Sequence, residues 1–196
     1  MYLHNDRDLF EEVINETNAQ TGIVQSIIEK DYYVTMILKL LAKSYPDTVF
    51  KGGTALSKCF HLIDRFSEDI DITFSEHIGA SRRKKLKYDI LKPISEELDM
   101  PIENWSTIES DKDYNYYLFA YKPISDFPVA GISSGVKLET ALVSYSFPTV
   151  EKEVSSIIYE TLKNTAPDII SDYELNPFAM KVQSVSRTFI DKIYAL

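Results

Sequence analysis

Between Asp8 and Ser44 the apolar residues recur at helical spacing. Ile14, Ile23, Ile27 and Ile28 form one series, and Val34, Ile37, Leu38 and Leu41 form a second. The pattern predicts helix over this stretch, interrupted at Thr21-Gly22 and closed by the turn Tyr45-Pro46-Asp47. The period then changes. Thr48-Val49-Phe50-Lys51 reads as a short strand ended by Gly52-Gly53, and Thr54 to Phe60 as a helix with Ala55, Leu56 and Cys59 on one side. Ile70-Asp71-Ile72-Thr73-Phe74 alternates apolar and polar residues, as a half-buried strand does. Ser81 is placed as the N-cap of a helix from Arg82 to Met100, striped by Leu86, Ile90, Leu91, Ile94 and Leu98. Strands at Tyr114 to Tyr121 and Val136 to Phe147 follow, then a helix from Val154 to Asn164 and a last one beginning at Val185. This order predicts an α+β fold: a small mixed sheet flanked by helices, with further helices at the C-terminal end. The expected division is a sheet-bearing part with N-terminal helices, residues 1–147, and a helical part, residues 148–196, parting near Pro148 or Pro177.

Composition narrows the classes. The chain has 196 residues, 44% hydrophobic and 26% charged, which suits one globular domain with a sizeable core. No apolar run approaches the roughly 20 residues of a membrane span. The segment from Met1 to Asp8 has no apolar region of the kind a signal peptide needs. Cys59, the single cysteine, excludes an internal disulfide framework and a cysteine zinc cluster, so a reducing, cytoplasmic location is expected. A formal net charge of -9 argues against broad nucleic-acid binding, which draws on Lys and Arg. The run Arg82-Arg83-Lys84-Lys85-Leu86-Lys87 is the local exception, either an RNA-backbone contact or a solvated helix face.

The chemistry gathers between residues 50 and 74. In Phe50-Lys51-Gly52-Gly53-Thr54 a strand runs through a glycine pair into a helix. Glycines let backbone approach a phosphate, the N–H groups of a helix start favour an anion, and Thr54 adds a hydroxyl. In Asp69-Ile70-Asp71 the two acids, two residues apart on a strand, share a face while Ile70 turns to the core. Adjacent carboxylates repel unless a cation lies between them, and hard oxygens suit magnesium or manganese. Alone, the first motif is a common capped turn and the second a common acidic strand face. Together, with one helix between them, they fit a nucleotide triphosphate held through cations for in-line displacement. His4, His61 and His77 lack metal-ligand spacing, and Tyr114, Tyr116 and Tyr117 read as strand residues that could also stack on bases.

The stretch Lys51-Gly52-Gly53-Thr54-Ala55-Leu56-Ser57-Lys58, followed by Arg65-Phe66-Ser67-Glu68-Asp69-Ile70-Asp71-Ile72, resembles the first catalytic motif of the AbiEii/AbiGii toxin family. These are nucleotidyltransferase-like proteins of the DNA polymerase beta superfamily, and Glu29-Lys30-Asp31-Tyr32-Tyr33 is similar to a segment that often precedes their motif. The resemblance implies a nucleotidyltransferase core in residues 1–147 and a toxin of a bacterial toxin–antitoxin or phage-defence system. It implies transfer of a nucleoside monophosphate from a triphosphate to an RNA acceptor such as tRNA, with Mg2+ or Mn2+, and a cognate antitoxin as partner. Asp69 and Asp71 would be catalytic and, with Glu139 as the superfamily's third carboxylate, hold the metal. Lys51, Gly52, Gly53 and Thr54 would bind the nucleotide. Lys192, in Arg187-Thr188-Phe189-Ile190-Asp191-Lys192, matches a family lysine that faces the nucleotide; read without the family it is a surface lysine beside Asp191. The family pattern continues beyond this lysine to a further basic helix segment, whereas the sequence ends at Leu196, as a fragment or as a site lacking its last motif would. Other open alternatives are transfer to a protein or small molecule, and a degenerate nucleotide-binding regulatory module.

Overall fold

The computed structural model describes residues 1–63, 68–124, 135–142 and 145–194. Two helices open it, α1 (Arg7–Thr21) and α2 (Gln25–Ser44). The Asp6 side chain accepts the N–H of Leu9 and caps α1, and Gly22, with φ 69°, ends it in the left-handed conformation. This is the break expected at Thr21-Gly22. Helix α1 buries Phe10, Val13, Ile14 and Thr17, one face only, whereas α2 is buried almost all round from Ile28 to Leu41. A helix buried on nearly every side lies inside a fold, and α2 does so even though it carries Glu29, Lys30 and Asp31.

Strand β1 (Thr48–Lys51), helix α3 (Gly52–Lys58) and strand β2 (Ile70–Phe74) follow. Next comes one long helical stretch, α4 (Ala80–Lys85), a π-helical segment (Leu86–Leu91) and α5 (Lys92–Glu97). It starts at Gly79 rather than at Ser81, which lies inside its first turn. Strands β3 (Tyr114–Ala120), β4 (Gly135–Ala141) and β5 (Thr149–Val154), helices α6 (Ile157–Leu162) and α7 (Pro167–Asp172), strand β6 (Phe178–Gln183) and helix α8 (Val185–Tyr194) complete it.

The strands form a six-stranded mixed sheet in the order β3-β4-β2-β1-β6-β5. β1 pairs antiparallel with β2 and parallel with β6, and β2 pairs parallel with β4. One face buries Phe50, Ile70, Ile72, Leu138 and Val182 in the same core as Ile28, Ile37 and Leu41 of α2. The sheet runs straight across the division expected near Pro148. The stretch expected to be helical supplies β5 and β6, because β6 alone can cover the second edge of β1. Among the described residues no helix is long and apolar enough to cross a membrane.

Glu29 sits in the buried part of α2, where burial pushes its carboxyl up to about 7 while the Ile124 N–H and Arg7 partly oppose the shift. An acid whose folded pKa exceeds its unfolded one costs stability as it ionises. Stability should therefore fall as pH rises from about 4.5 to about 7. Glu29→Gln should flatten that fall, read as a melting-temperature gap over wild type that widens toward pH 8. A gap independent of pH would count against the buried, neutral Glu29.

Candidate active site

The sheet register assembles the acids. Asp71 stands directly across from Glu139 on parallel β4 and from Lys51 on antiparallel β1, so the three side chains share one face at one end of the sheet. Asp69 lies just before β2 with Ile70, wholly buried, turned to the core between it and Asp71. The Thr73 hydroxyl donates to the Ala141 carbonyl at 2.7 Å, a second tie that keeps β2 in register with β4.

The glycine turn reaches the same place. Gly52 has φ 80°, and a β-carbon added there would overlap the Asp71 carboxylate. Both facts exclude an ordinary side chain. Gly53 and Thr54 follow in the first turn of α3. The Thr54 hydroxyl is directed differently from the expectation that it meets a phosphate. It is buried and donates to the Asp69 carbonyl oxygen, so Thr54 braces the acidic segment against α3.

Negative charge is crowded here. Burial first, then Glu139 and Asp69, push the Asp71 carboxyl up to about 6, against the pull of Lys51 and Lys137. Asp69 is shifted upward as well, by burial and then by Glu139 and Glu68, with Lys137 and Lys30 opposing. Lys137 forms an ion pair with Glu139 and lies 5.7 Å from the centre of the Tyr116 ring. Among the described residues no three His, Cys, Asp or Glu side chains are gathered closely enough to enclose a metal ion. The donor chemistry nonetheless suits a hard divalent cation: carboxylate oxygens, raised pKa values, and a lysine holding the third acid where a cation would take its place. Asp69, Asp71 and Glu139 are the residues that could hold it.

The sheet register brings together Lys51, Gly52, Asp71 and Glu139, with Asp69 joined through Thr54. Lys192 is exposed on α8, beside Asp191, whose carboxylate accepts from Gln183 at 3.0 Å and from Arg187 at 2.8 Å. Helix α8 does leave the sheet at the site end, since β6 runs parallel to β1 with Val182 opposite Phe50. Two residues singled out for bases, Tyr114 and Tyr116, are exposed, whereas Tyr117 is buried. Tyr116 stands across from Glu139 in the β3–β4 register. The basic run is largely spent internally. Arg82 pairs with Glu76 at 2.7 Å and Arg83 with Asp113 at 2.6 Å, while buried Lys87 donates to the Ile108 carbonyl. Cys59 is buried, and burial pushes its thiol up to about 11, as for a core residue rather than a nucleophile. Arg65-Phe66-Ser67, Val143 and the terminal Ala195-Leu196 lie outside the described residues.

Residues 39–196 match the family described as "Nucleotidyl transferase AbiEii toxin, Type IV TA system". The chain belongs to this AbiEii family. Among solved structures it is similar to MenT4, nucleotidyltransferase toxin Rv2826c from Mycobacterium tuberculosis H37Rv, at 16% identity and a TM-score of 0.49. That match covers 93% of this chain and 57% of the MenT4 chain, so this AbiEii chain spans little more than half of that length. Among curated protein sequences none matches it.

The crowding has a measurable consequence. Metal-free Asp71→Asn should melt above wild type at pH 7 by about 2–4 °C, the shift expected for roughly 1 kcal/mol in a domain this size. The sign follows from the raised carboxyl, whose ionisation costs stability as pH rises through about 6. Added Mn2+ should raise the wild-type melting temperature and leave the variant unmoved. Equal responses to Mn2+ would remove Asp71 from any cation site.

Proposed function

We propose that this AbiEii-family chain carries a divalent-metal-dependent nucleotidyltransferase site that moves a nucleoside monophosphate from a triphosphate to an RNA hydroxyl, tRNA being the leading acceptor. The role is that of a toxin in the bacterial cytoplasm, restrained by a cognate antitoxin and serving phage defence. One observation carries the reading: the register sets Asp71 beside Glu139, and Asp71 also lies against the Gly52 turn at the start of α3.

The residues divide the work. The Gly52-Gly53 backbone offers N–H groups to the phosphates with no side chain in the way, and Lys51 at the end of β1 offsets their charge. Thr54 holds the Asp69 backbone, so the carboxylate meets the nucleotide from a fixed point. Magnesium or manganese, when bound by Asp69, Asp71 and Glu139, would supply charge stabilisation for the phosphorus and for the departing pyrophosphate. In the transfer, the bond from the α-phosphorus to the acceptor oxygen forms as the bond to the pyrophosphate oxygen breaks, and the acceptor hydroxyl gives up its proton to solvent. Lys137, paired with Glu139, keeps a positive charge beside the acids on the same face of the sheet and would be available to the phosphates if a cation were held by Glu139.

In an acidic chain whose basic run has Arg82, Arg83 and Lys87 paired within the protein and Lys84 and Lys85 exposed, further contacts would serve RNA binding. Tyr114 and Tyr116 supply aromatic faces next to Glu139, and stacking a base on such a ring contributes about 1–3 kcal/mol. This supports a nucleic acid acceptor over a protein one.

The test is incubation with each α-labelled nucleoside triphosphate, magnesium and total cellular RNA. Label should enter RNA. Asp69→Ala and Asp71→Ala should each lower it about a thousandfold or more with the fold retained, the scale of losing several kcal/mol of transition-state stabilisation. Wild-type transfer by either variant refutes the assignment, and label on the protein alone refutes the RNA acceptor.

A further inference from the structure

Three consecutive ionisable residues, Glu29, Lys30 and Asp31, lie within the most enclosed helix of the molecule and are 2%, 1% and 5% exposed. Nothing in the reaction above uses them. Burying a charge costs several kcal/mol unless a partner meets it, and such pairs are often no more stable than apolar replacements. Their persistence inside α2 therefore asks for a reason other than stability.

Consecutive helical residues point about 100° apart, so each of the three reaches a different segment. Glu29 accepts the Ile124 N–H, just past β3, at 2.9 Å. Lys30 pairs with Glu68, the residue immediately before Asp69. Asp31 pairs with Lys58, the last residue of α3, and accepts the Ile157 N–H at the start of α6 at 2.8 Å. Lys58 and Glu68 are the two feet of the connection between α3 and β2, and Lys30 and Asp31 hold both from adjacent positions. Packed rings keep this turn of α2 in place. Tyr33 stacks on Tyr121 with centroids 4.2 Å apart, and Tyr32 packs on Phe10 at 4.7 Å.

We propose that Lys30 is the positioning residue of the acidic site, fixing Glu68 and through it the backbone from which Asp69 projects toward Asp71 and Glu139. The inference rests on the nucleotidyl-transfer reading. The same backbone is also held by Thr54, so Asp69 is flanked by two ties, a hydroxyl from α3 on its own carbonyl and an ammonium from α2 on the neighbouring Glu68. Lys30 itself does not meet nucleotide, being 1% exposed. Its charge nevertheless reaches Asp69 and favours the ionised carboxylate.

The experiment compares Lys30→Met, Lys30→Arg and Glu68→Gln with wild type by turnover, triphosphate KM, melting temperature and amide hydrogen exchange. Lys30→Met and Glu68→Gln should lower kcat about ten- to a hundredfold, the cost of a small misplacement of a reacting group, with KM within about twofold. Lys30→Arg, which keeps the pair, should recover most of that loss. Amides of residues 68–71 should exchange about tenfold faster in Glu68→Gln while those of α1 do not change. Glu68 is 33% exposed on its side chain, so this variant serves where Lys30→Met fails to fold. A folded Glu68→Gln protein with wild-type kcat overturns the proposal, as does Lys30→Arg as slow as Lys30→Met. If wild type transfers nothing, the nucleotidyl-transfer reading fails separately, and the exchange result alone then decides whether Lys30 fixes the Asp69 backbone.

Discussion

Two parallel strands, β2 and β4, hold Asp71 and Glu139 side by side, with Asp69 two residues away, and ordinary electrostatics opposes that placement. The fold maintains it by means that have little to do with the acids. Ile70, Ile72 and Leu138 on the reverse face are wholly buried against the helices, and a slip of one residue would turn them outward. The hydrophobic register thus dictates where the carboxylates stand. Their repulsion is partly offset by Lys137 and Lys51.

The surroundings serve the same geometry. A residue other than glycine at position 52 would have to displace the Asp71 carboxylate, so the turn is as much a partner of the acid as a seat for phosphate. Thr54 donates to the Asp69 carbonyl, and Lys30 pairs with the preceding Glu68, so two elements contact the segment that carries Asp69.

Much of this was legible in the sequence where local physics decides the outcome. The α1–α2 break follows from one glycine, β1 from a β-branched and aromatic run ended by two glycines, and β2 from strict alternation. What escaped depends on distant partners. Thr149–Val154 carries Glu151, Lys152 and Glu153 and shows no clean alternation; it is a strand because β6 pairs with it. Phe178–Gln183 is a strand because it pairs with β1 on one side and β5 on the other. At the site, strand parity predicts Asp69 and Asp71 on one face and the family resemblance suggests Glu139 as a third acid; the register stands Glu139 beside Asp71. The roles of Thr54, Lys30 and Glu68 were not legible, because a hydroxyl or a charge declares its partner only once the chain is folded. The adjacency of Glu68 to the acid pair was the one available hint.

The most direct measurement is a crystal structure with Mn2+ and a non-hydrolysable nucleoside triphosphate, read by anomalous scattering. The expected result is manganese bound by Asp69, Asp71 and Glu139, with Lys137 released from Glu139 and the phosphates over Gly52-Gly53. Manganese seated elsewhere, or Lys137 still on Glu139 beside an ordered triphosphate, would contradict the assignment.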